Sequence, residues 1–195
     1  MRRTEFVLVL VLLAASIGPA TAAAGTREDP VPMGTSVDLG DGWTVKVMSV
    51  TSDATNFILR ENQFNDPPAA GNQFFIARVR ASYEGDGSDT FGGSYRLRAV
   101  GPSAIGYSTF ENSPGVIPDP LPDSEVFTGG SIEGNIAWQI KSSDSGSLVM
   151  YDSEASKTGR LYMALYGSQT EPASAPTSTT DNGWKYLGTG KMGRN

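Results

Sequence analysis

The chain has 195 residues and a formal net charge of −6 at pH 7, and it contains neither cysteine nor histidine. The missing residue types exclude a Ser-His-Asp triad, a cysteine nucleophile, and zinc or haem sites built on Cys or His. The acidic balance argues against nucleic acid as a partner, and this length suits one domain with appendages.

Residues 1–24 are typical of a secretory signal peptide. Arg2 and Arg3 give a positively charged start, an apolar run follows over residues 6–17, and small residues offer cleavage after Ala22 or Ala24. The run is far shorter than the roughly 20 apolar residues that a membrane-spanning helix needs. We therefore expect a processed protein with no transmembrane anchor, secreted or extracytoplasmic and associated with the cell envelope.

The next segment, residues 25–31, is polar and shows no periodicity, so it predicts a flexible lead-in to a β-sandwich domain over residues 32–166. The first element of that domain is the sequence VDLGDGWTVKV, which predicts a β-hairpin. Asp41 and Gly42 supply the positive backbone angles that a tight hairpin turn requires. Trp43, Val45 and Val47 then alternate along one face of the second strand.

The stretch Glu61–Asn72, ENQFNDPPAAGN, precedes the strongest strand and is interpreted as a connecting loop. Its two adjacent prolines lack amide donors and are excluded from the interior of a strand ladder. The alternative is a calcium site, because calcium prefers carboxylate and amide oxygens, although the spacing does not match an EF-hand. The oxygens for such a site would come from Glu61, Asn65, Asp66 and Asn72.

Two segments alternate apolar and polar residues strictly enough to predict half-buried strands. In QFFIARVRASY the apolar face consists of Phe75, Ala77, Val79, Ala81 and Tyr83. In SIEGNIAWQI it consists of Ile132, Gly134, Ile136, Trp138 and Ile140. Phe74 and Ile76 make the start of the first strand apolar on both sides, so we expect another part of the chain to cover it there.

Further strands are predicted at SYRLRAV, SLVMY and RLYMALY. About seven or more short strands with little helix favour an all-β, antiparallel sandwich over a barrel. After them, residues 167–195 are rich in Gly, Ser, Thr and Pro. Such a segment has too little apolar surface to offset its ordering entropy, so a disordered polar tail is predicted.

A long connection, GYSTFENSPGVIPDPLPDSEVF, separates two of the predicted strands and combines prolines with apolar side chains. Either these side chains cap the core of the sandwich, or they form an exposed contact surface. Capping is the favoured interpretation. The apolar residues concerned are Tyr107, Phe110, Val116, Ile117 and Leu121.

The most informative polar pattern is basic. Arg78 and Arg80 share one strand face, and Arg96 and Arg98 share another. If those strands are neighbours, the four side chains form a stripe of guanidinium groups suited to carboxylate or phosphate ligands. These four arginines are the candidate binding site. The alternative is a solvated sheet face that is neutralised by cross-strand acids such as Glu133.

Three stretches, PVPMGTSVDLGDGWTVKVMSV, ENQFNDPPAAGNQFFIARVRASYEG and GGSIEGNIAWQI, together resemble a family of exported bacterial and archaeal domains of unknown function with a telokin-like, immunoglobulin-like fold. The resemblance is carried by turn glycines and alternating apolar residues and covers about residues 30–166. It implies an immunoglobulin-like sandwich, export and no agreed activity. Many members carry a lipid-bearing cysteine, which this chain lacks.

We therefore expect an exported, non-catalytic, immunoglobulin-like interaction module of the cell envelope. It would need no cofactor and no metal ion, and its partner would be an envelope protein or an anionic envelope polymer. The alternative is a carboxylate-dependent hydrolase of cell-surface glycans, which requires two acids close together in a cleft, one of them with a raised pKa. Many acids fall in turns, as in EGDGSDT, and no pair stands out.

Overall fold

A computed structural model describes residues 25–155 and 159–167. The predicted signal peptide, residues 1–24, and the tail from residue 168 onward lie outside the described residues. Within the described ranges the strands are β1 (Ser36–Gly40), β2 (Trp43–Thr51), β3 (Asn72–Tyr83), β4 (Ser88–Thr90), β5 (Leu97–Val100), β6 (Gly106–Tyr107), β7 (Glu125–Phe127), β8 (Ser131–Lys141), β9 (Val149–Asp152) and β10 (Tyr162–Ala164). The helical elements are α1 (Thr55–Glu61), α2 (Gly93–Arg96) and a 3-10 helix (Ser142–Ser147).

The strands form two packed sheets. Sheet I has the order β1-β2-β3-β8 and sheet II the order β10-β9-β5-β6, while β4 and β7 form a separate ribbon. All pairings between these strands are antiparallel. The inner faces of both sheets share one core, whose largest fully buried members include Trp43, Phe75, Trp138, Leu148, Met150 and Leu165. The predicted all-β, immunoglobulin-like antiparallel sandwich is confirmed.

The predicted hairpin and the two alternating strands are present. Asp41 and Gly42 have φ angles of 53° and 81°, as the tight turn between β1 and β2 requires. Phe75 of β3 pairs with Trp138 of β8, and both are fully buried. The period of two therefore correctly identified which side chains face inward, because successive side chains of a strand point to opposite sides.

The segment SYRLRAV was predicted as a strand throughout, and this is wrong for its first half. The chain forms helix α2 up to Arg96, and β5 begins only at Leu97. Gly92 has a φ of 60°, and the amide of Arg96 donates to its carbonyl at 3.1 Å, which closes a helical turn. A left-handed glycine is readily adopted at such a reversal and interrupts the extended backbone that a strand needs.

Residues 25–31 have fixed backbone partners, although their polar composition predicted a flexible lead-in. Val31 bridges to Met163 in parallel, and the amide of Ala164 donates to the carbonyl of Val31 at 2.9 Å. Nη2 of Arg27 donates at 2.7 Å to the carbonyl of Gly101, the residue that follows β5 of sheet II. The segment thus covers the open edge of β10. Composition did not reveal this because the bonds at β10 are made by main-chain groups.

The start of β3 is covered on its outer face, as expected from Phe74 and Ile76. Helix α1 is the cover: fully buried Ile58 packs against these two residues and against Ala137 of β8 in a second, smaller core. Ile117, from the long proline-containing connection, also packs on this cluster. In the part of the chain that is described, no helix is long and apolar enough to cross a membrane.

Candidate functional site

The structure divides the four candidate arginines between the two sheets. Arg78 and Arg80 lie on β3 in sheet I, whereas Arg96 is the last residue of α2 and Arg98 lies on β5 in sheet II. The prediction of one guanidinium stripe depended on neighbouring strands, so it is wrong. β3 and β5 belong to the two opposite sheets of the sandwich, so the two pairs do not share a strand face.

Arg78 and Arg80 are neutralised by carboxylates, as the alternative interpretation proposed. Nε of Arg78 lies 2.8 Å from Oε1 of Glu133, and Nη2 of Arg80 lies 2.6 Å from Oε2 of the same carboxylate. Nη1 of Arg78 also contacts Oδ2 of Asp119 at 2.6 Å. Hydrogen bonds from Arg78 and Arg80 hold the pKa of Glu133 below its ordinary value.

Arg96 is held inside the molecule. Its Nη2 lies 2.6 Å from Oδ2 of buried Asp152, and its guanidinium lies over the ring of Phe91 at 5.5 Å. Burial alone would lower the pKa of Arg96, but the hydrogen bond and charge of Asp152 outweigh it and raise the pKa. Arg98 pairs across the sheet with Tyr151, whereas Arg96 contacts Asp152, the next residue of β9, which is buried. Because successive residues of a strand face opposite sides, the two arginines do not share a face.

The proline-containing connection, residues 108–124 and called here the proline loop, runs along the free edge of β8. The amide of Asn135 donates to the carbonyl of Asp119 at 2.8 Å, and the amide of Leu121 donates to the carbonyl of Asn135 at 2.9 Å. Leu121 enters the main core, and Ile117 enters the second core. Capping is therefore correct for these two side chains, and the pairing also shields an exposed strand edge.

The stretch Glu61–Asn72 connects α1 to β3, in agreement with its interpretation as a loop, except that Glu61 is the last residue of the helix. Its central residue, Asn65, clamps two segments together. The Asn65 side-chain amide donates to the carbonyls of Ile58 at 2.8 Å and Val116 at 2.7 Å, and its oxygen accepts from the amide of Val116 at 2.9 Å. This use of Asn65 takes one of the four oxygens that the calcium alternative requires.

We expect Asn65→Ala to lower the free energy of unfolding by about 1–3 kcal/mol, because backbone groups of Ile58 and Val116 lose their partner. Hydrogen exchange in the proline loop should become faster. Urea denaturation and exchange mass spectrometry measure the two effects. Asn62→Ala is the control, because within the described residues the Asn62 side chain makes one local hydrogen bond, which it accepts from the amide of Phe64. Equal effects of both substitutions would contradict the clamp.

Helix α1, the loop after it and the proline loop leave several large apolar side chains in solvent. The exposed fractions are 81% for Phe64, 54% for Phe110, 51% for Val116 and 48% for Phe57. Exposed Tyr95 of α2 lies against Phe110, with ring centroids 4.8 Å apart. These five side chains are called the loop surface. Exposed apolar groups gathered in this way are typical of a contact site.

A groove of about 210 Å³ lies beneath the proline loop, between this loop and β8. Its walls include Phe110, Pro114, Ile117, Pro120 and Ala137. The groove therefore continues from the exposed Phe110 toward the second core, and it gives the loop surface a concave, mostly apolar part.

The carboxyl groups with shifted pKa values do not match a glycoside hydrolase. A hydrogen bond from the indole of Trp43, at 2.8 Å, lowers the pKa of Asp89. Hydrogen bonds from Arg78 and Arg80 lower the pKa of Glu133. The pKa of Asp144 is also lowered. A general acid needs the opposite shift. Among the residues that the structure describes, no group of three or more acidic side chains is placed to hold a metal ion.

Sequence reasoning missed Phe57 and Phe64 as surface residues because it missed helix α1. One signal was present: Ala54 and Ile58 are four residues apart, the spacing of one helical face, and both are fully buried. A single pair in a seven-residue element is too short to separate a helix from a loop by periodicity.

No protein-family model and no curated protein matches the chain. Three solved structures are similar in part. The secreted protein MPT63 of Mycobacterium tuberculosis has 15% identity and a TM-score of 0.48, over 71% of this chain and 98% of that one. The ycdA protein of Bacillus subtilis has 14% identity and a TM-score of 0.49, over 70% of this chain and 39% of that one.

The third is a β-sandwich protein of Clostridium difficile 630, with 6% identity and a TM-score of 0.42, over 76% of this chain and 99% of that one. Likenesses at this level carry no conclusion about activity or partners. The fold assignment rests on the two sheets described above. The resemblance to the telokin-like family stays a prediction.

Proposed function

We propose that the protein is an exported, non-catalytic interaction module of the cell envelope, of the telokin-like type, and that its loop surface contacts an envelope protein. The observation that carries the proposal is the exposure of Phe57, Phe64, Phe110 and Val116 around one structured set of loops. Export is proposed from the leader-like pattern of residues 1–24.

Aromatic side chains are enriched at the centres of protein interfaces, where a few of them supply most of the binding energy. The backbone segments that carry the aromatic side chains of the loop surface are held in place. Asn65 forms a hydrogen bond to Val116, and Ile58 and Ile117 pack in the second core. A surface that is already ordered loses little conformational entropy on binding. This supports a role in recognition over a role as a mere connection.

The paired arginines of sheet I have a place in this proposal as part of a polar rim. Asp119 belongs to the proline loop, and through Arg78 it joins the network of Arg80 and Glu133 next to the second core. Protein interfaces usually have such a polar border around an apolar centre. The rim arginines would then affect the rate and salt dependence of binding more than its strength.

The proposal is tested with the full chain expressed with its leader. We expect a photo-crosslinker placed at Phe64 to give a discrete adduct in the envelope fraction. Phe110→Asp should reduce that adduct at least tenfold, since a buried interface aromatic contributes about 2 kcal/mol. The control is Phe127→Asp, which alters another exposed aromatic on β7.

Equal adduct yields for the two variants would reject the loop surface as the contact site. Recovery of the unprocessed chain in the cytosol would reject export, whatever the crosslinking shows. A thermal denaturation curve for each variant separates loss of contact from loss of folding, because both positions are more than half exposed and their substitution should leave stability nearly unchanged.

A further inference from the structure

Tyr151 lies at the centre of the outer face of sheet II. Its neighbours in β9, Met150 and Asp152, are buried, so Tyr151 points to the opposite side. Across the sheet it pairs with Arg98 of β5 on one side and with Tyr162 of β10 on the other. The two tyrosine rings are in contact, with centroids 5.5 Å apart.

A second guanidinium group reaches the same ring. Cζ of Arg160 lies 4.6 Å from the centroid of Tyr151, a cation–π contact that holds the arginine over the sheet. Since Arg98 is the cross-strand neighbour of Tyr151, the two arginines flank one aromatic side chain. These four residues, Arg98, Tyr151, Arg160 and Tyr162, are called the arginine–tyrosine row.

The charges of this row are not neutralised within the described residues. All the arginine–carboxylate contacts found there within 4.0 Å involve Arg78, Arg80 or Arg96. The Nε atoms of Arg98 and Arg160 are shielded from solvent and have no hydrogen-bond partner in that part of the chain. Shielded polar groups normally have partners, and each exception needs an explanation.

Gly106 of β6 borders the row at the hydroxyl of Tyr151. It lies on the same face, opposite Val100, and a Cβ atom there would be 3.2 Å from Oη of Tyr151. Arg27, in the segment before β1, is already engaged with the carbonyl of Gly101, which follows β5. Among the described residues, Arg98 and Arg160 are therefore the arginines of this face without a carboxylate partner, and Nη2 of Arg160 makes one long hydrogen bond, at 3.5 Å, to the carbonyl of Ser153.

We propose that the arginine–tyrosine row binds an acidic polysaccharide. The planar guanidinium fork matches carboxylate or phosphate groups in two-point contacts. Arg160 already lies over the Tyr151 ring, so the remaining exposed aromatic surface of the half-buried Tyr151 and Tyr162 is what would meet the partially positive C–H groups of a sugar. The row lies on the face of a sheet and lines none of three clefts of the described residues, at Pro30, Tyr107 and Pro120, so an extended polymer fits better than an enclosed metabolite.

An acidic protein is the less suitable occupant. Stable protein interfaces need about 1,000 Å² with an apolar centre, and the large exposed phenylalanines lie outside sheet II. The inference goes beyond the proposed function, because it assigns a second surface and a ligand class. It uses that function only for the expectation that the polymer is met outside the cytoplasm.

The test uses the purified chain with polygalacturonate as a carboxylate polysaccharide and phosphorylated dextran as a phosphate polysaccharide. Isothermal titration calorimetry at low and at physiological ionic strength should show saturable, salt-sensitive binding to one or both. We expect the double variant R98Q/R160Q to bind at least about tenfold more weakly, because two charge-assisted contacts are lost. Comparison of the two affinities shows whether the row prefers carboxylate or phosphate groups.

The matched control is K46Q/R60Q, which removes the same two charges from residues outside sheet II. It should keep its affinity to within about twofold, whereas an equal loss would reveal only general charge attraction and overturn the inference. R98K keeps the charge but not the fork, so an affinity between wild type and R98Q/R160Q is expected.

Absence of saturable binding to both polymers, or equal binding of polyglutamate, would also overturn the polysaccharide assignment. Failure of this inference is distinguishable from failure of the proposed function. Phe110→Asp should reduce the envelope adduct at least tenfold and leave polymer binding unchanged, whereas R98Q/R160Q should weaken polymer binding and leave the adduct unchanged.

Discussion

Gly134→Ala should lower the free energy of unfolding by about 3 kcal/mol, the upper part of the usual range for overpacking a well-packed site. A Cβ atom at Gly134 would lie 2.5 Å from Cα of Leu121 and 2.7 Å from the carbonyl carbon of Pro120. Both are backbone atoms of the proline loop, so no side-chain rotation relieves the overlap. The loop would have to move away from β8, and Leu121 would leave the core.

Gly146→Ala is the matched control for this substitution, because a Cβ atom there meets nothing within 4 Å. Neither glycine has a positive φ, so the two variants differ in steric contact and not in backbone strain. Urea denaturation should give a change within about 0.5 kcal/mol for Gly146→Ala. A Gly134→Ala protein as stable as this control would show that the proline loop does not pack against β8.

Asp144→Ala should lower the free energy of unfolding by about 2–4 kcal/mol, because a buried charge-assisted network loses its acceptor. The carboxylate accepts three hydrogen bonds. The donors are the hydroxyl of Tyr107 at 2.7 Å, the backbone amide of Ser103 at 3.2 Å, and the Ser103 hydroxyl. It is nearly fully buried in the 3-10 helix after β8. The network therefore ties the β5–β6 turn to the end of β8.

The same group makes stability depend on pH. Burial alone would raise the pKa of Asp144, but hydrogen bonds from Ser103 and Tyr107 outweigh it and lower the pKa from its ordinary value of 3.8. The unfolded chain then binds a proton at a higher pH than the folded one. The stabilisation is complete above about pH 4 to 5 and is lost as the pH falls through the folded-state pKa.

Asp144→Asn isolates this contribution, because the amide does not titrate. The difference in unfolding free energy between wild type and Asp144→Asn should be largest near pH 7 and shrink on acidification toward pH 3. Asp89 and Glu133 also have lowered pKa values, but they are present in both proteins and cancel in the difference. A difference that stays constant with pH would contradict this assignment.

The fold was largely predictable because its main signals are local. Alternation in β3 and β8 identified the inward side chains, and the double apolar start at Phe74 and Ile76 correctly indicated a cover. Asp41 and Gly42 marked the hairpin because few residues accept positive φ. Helix α1 escaped prediction, since most of its stability comes from packing Ile58 onto the sheet.

The candidate site was much less predictable, because charge pairing depends on contacts between distant parts of the chain. Arg78 and Glu133 are 55 residues apart, and Asn65 and Val116 are 51 apart. Nothing near Arg98 in the sequence distinguishes it from Arg96, which is bound to Asp152, 56 residues away. The partners of Asn65 and Arg98 are set by which segments lie side by side in the folded chain, and this is not written in the residues near either one.

The sequence by itself therefore determined the long strands β2, β3 and β8, their inward faces and the sharp turn of the first hairpin, since each depends on residues within a few positions of one another. Only the tertiary structure decided which arginines are neutralised, which aromatic side chains stay in solvent and where the proline loop lies. Those outcomes depend on the pairing of strands far apart in the chain, which brings an acid to Arg78, Arg80 and Arg96 and none to Arg98 among the described residues.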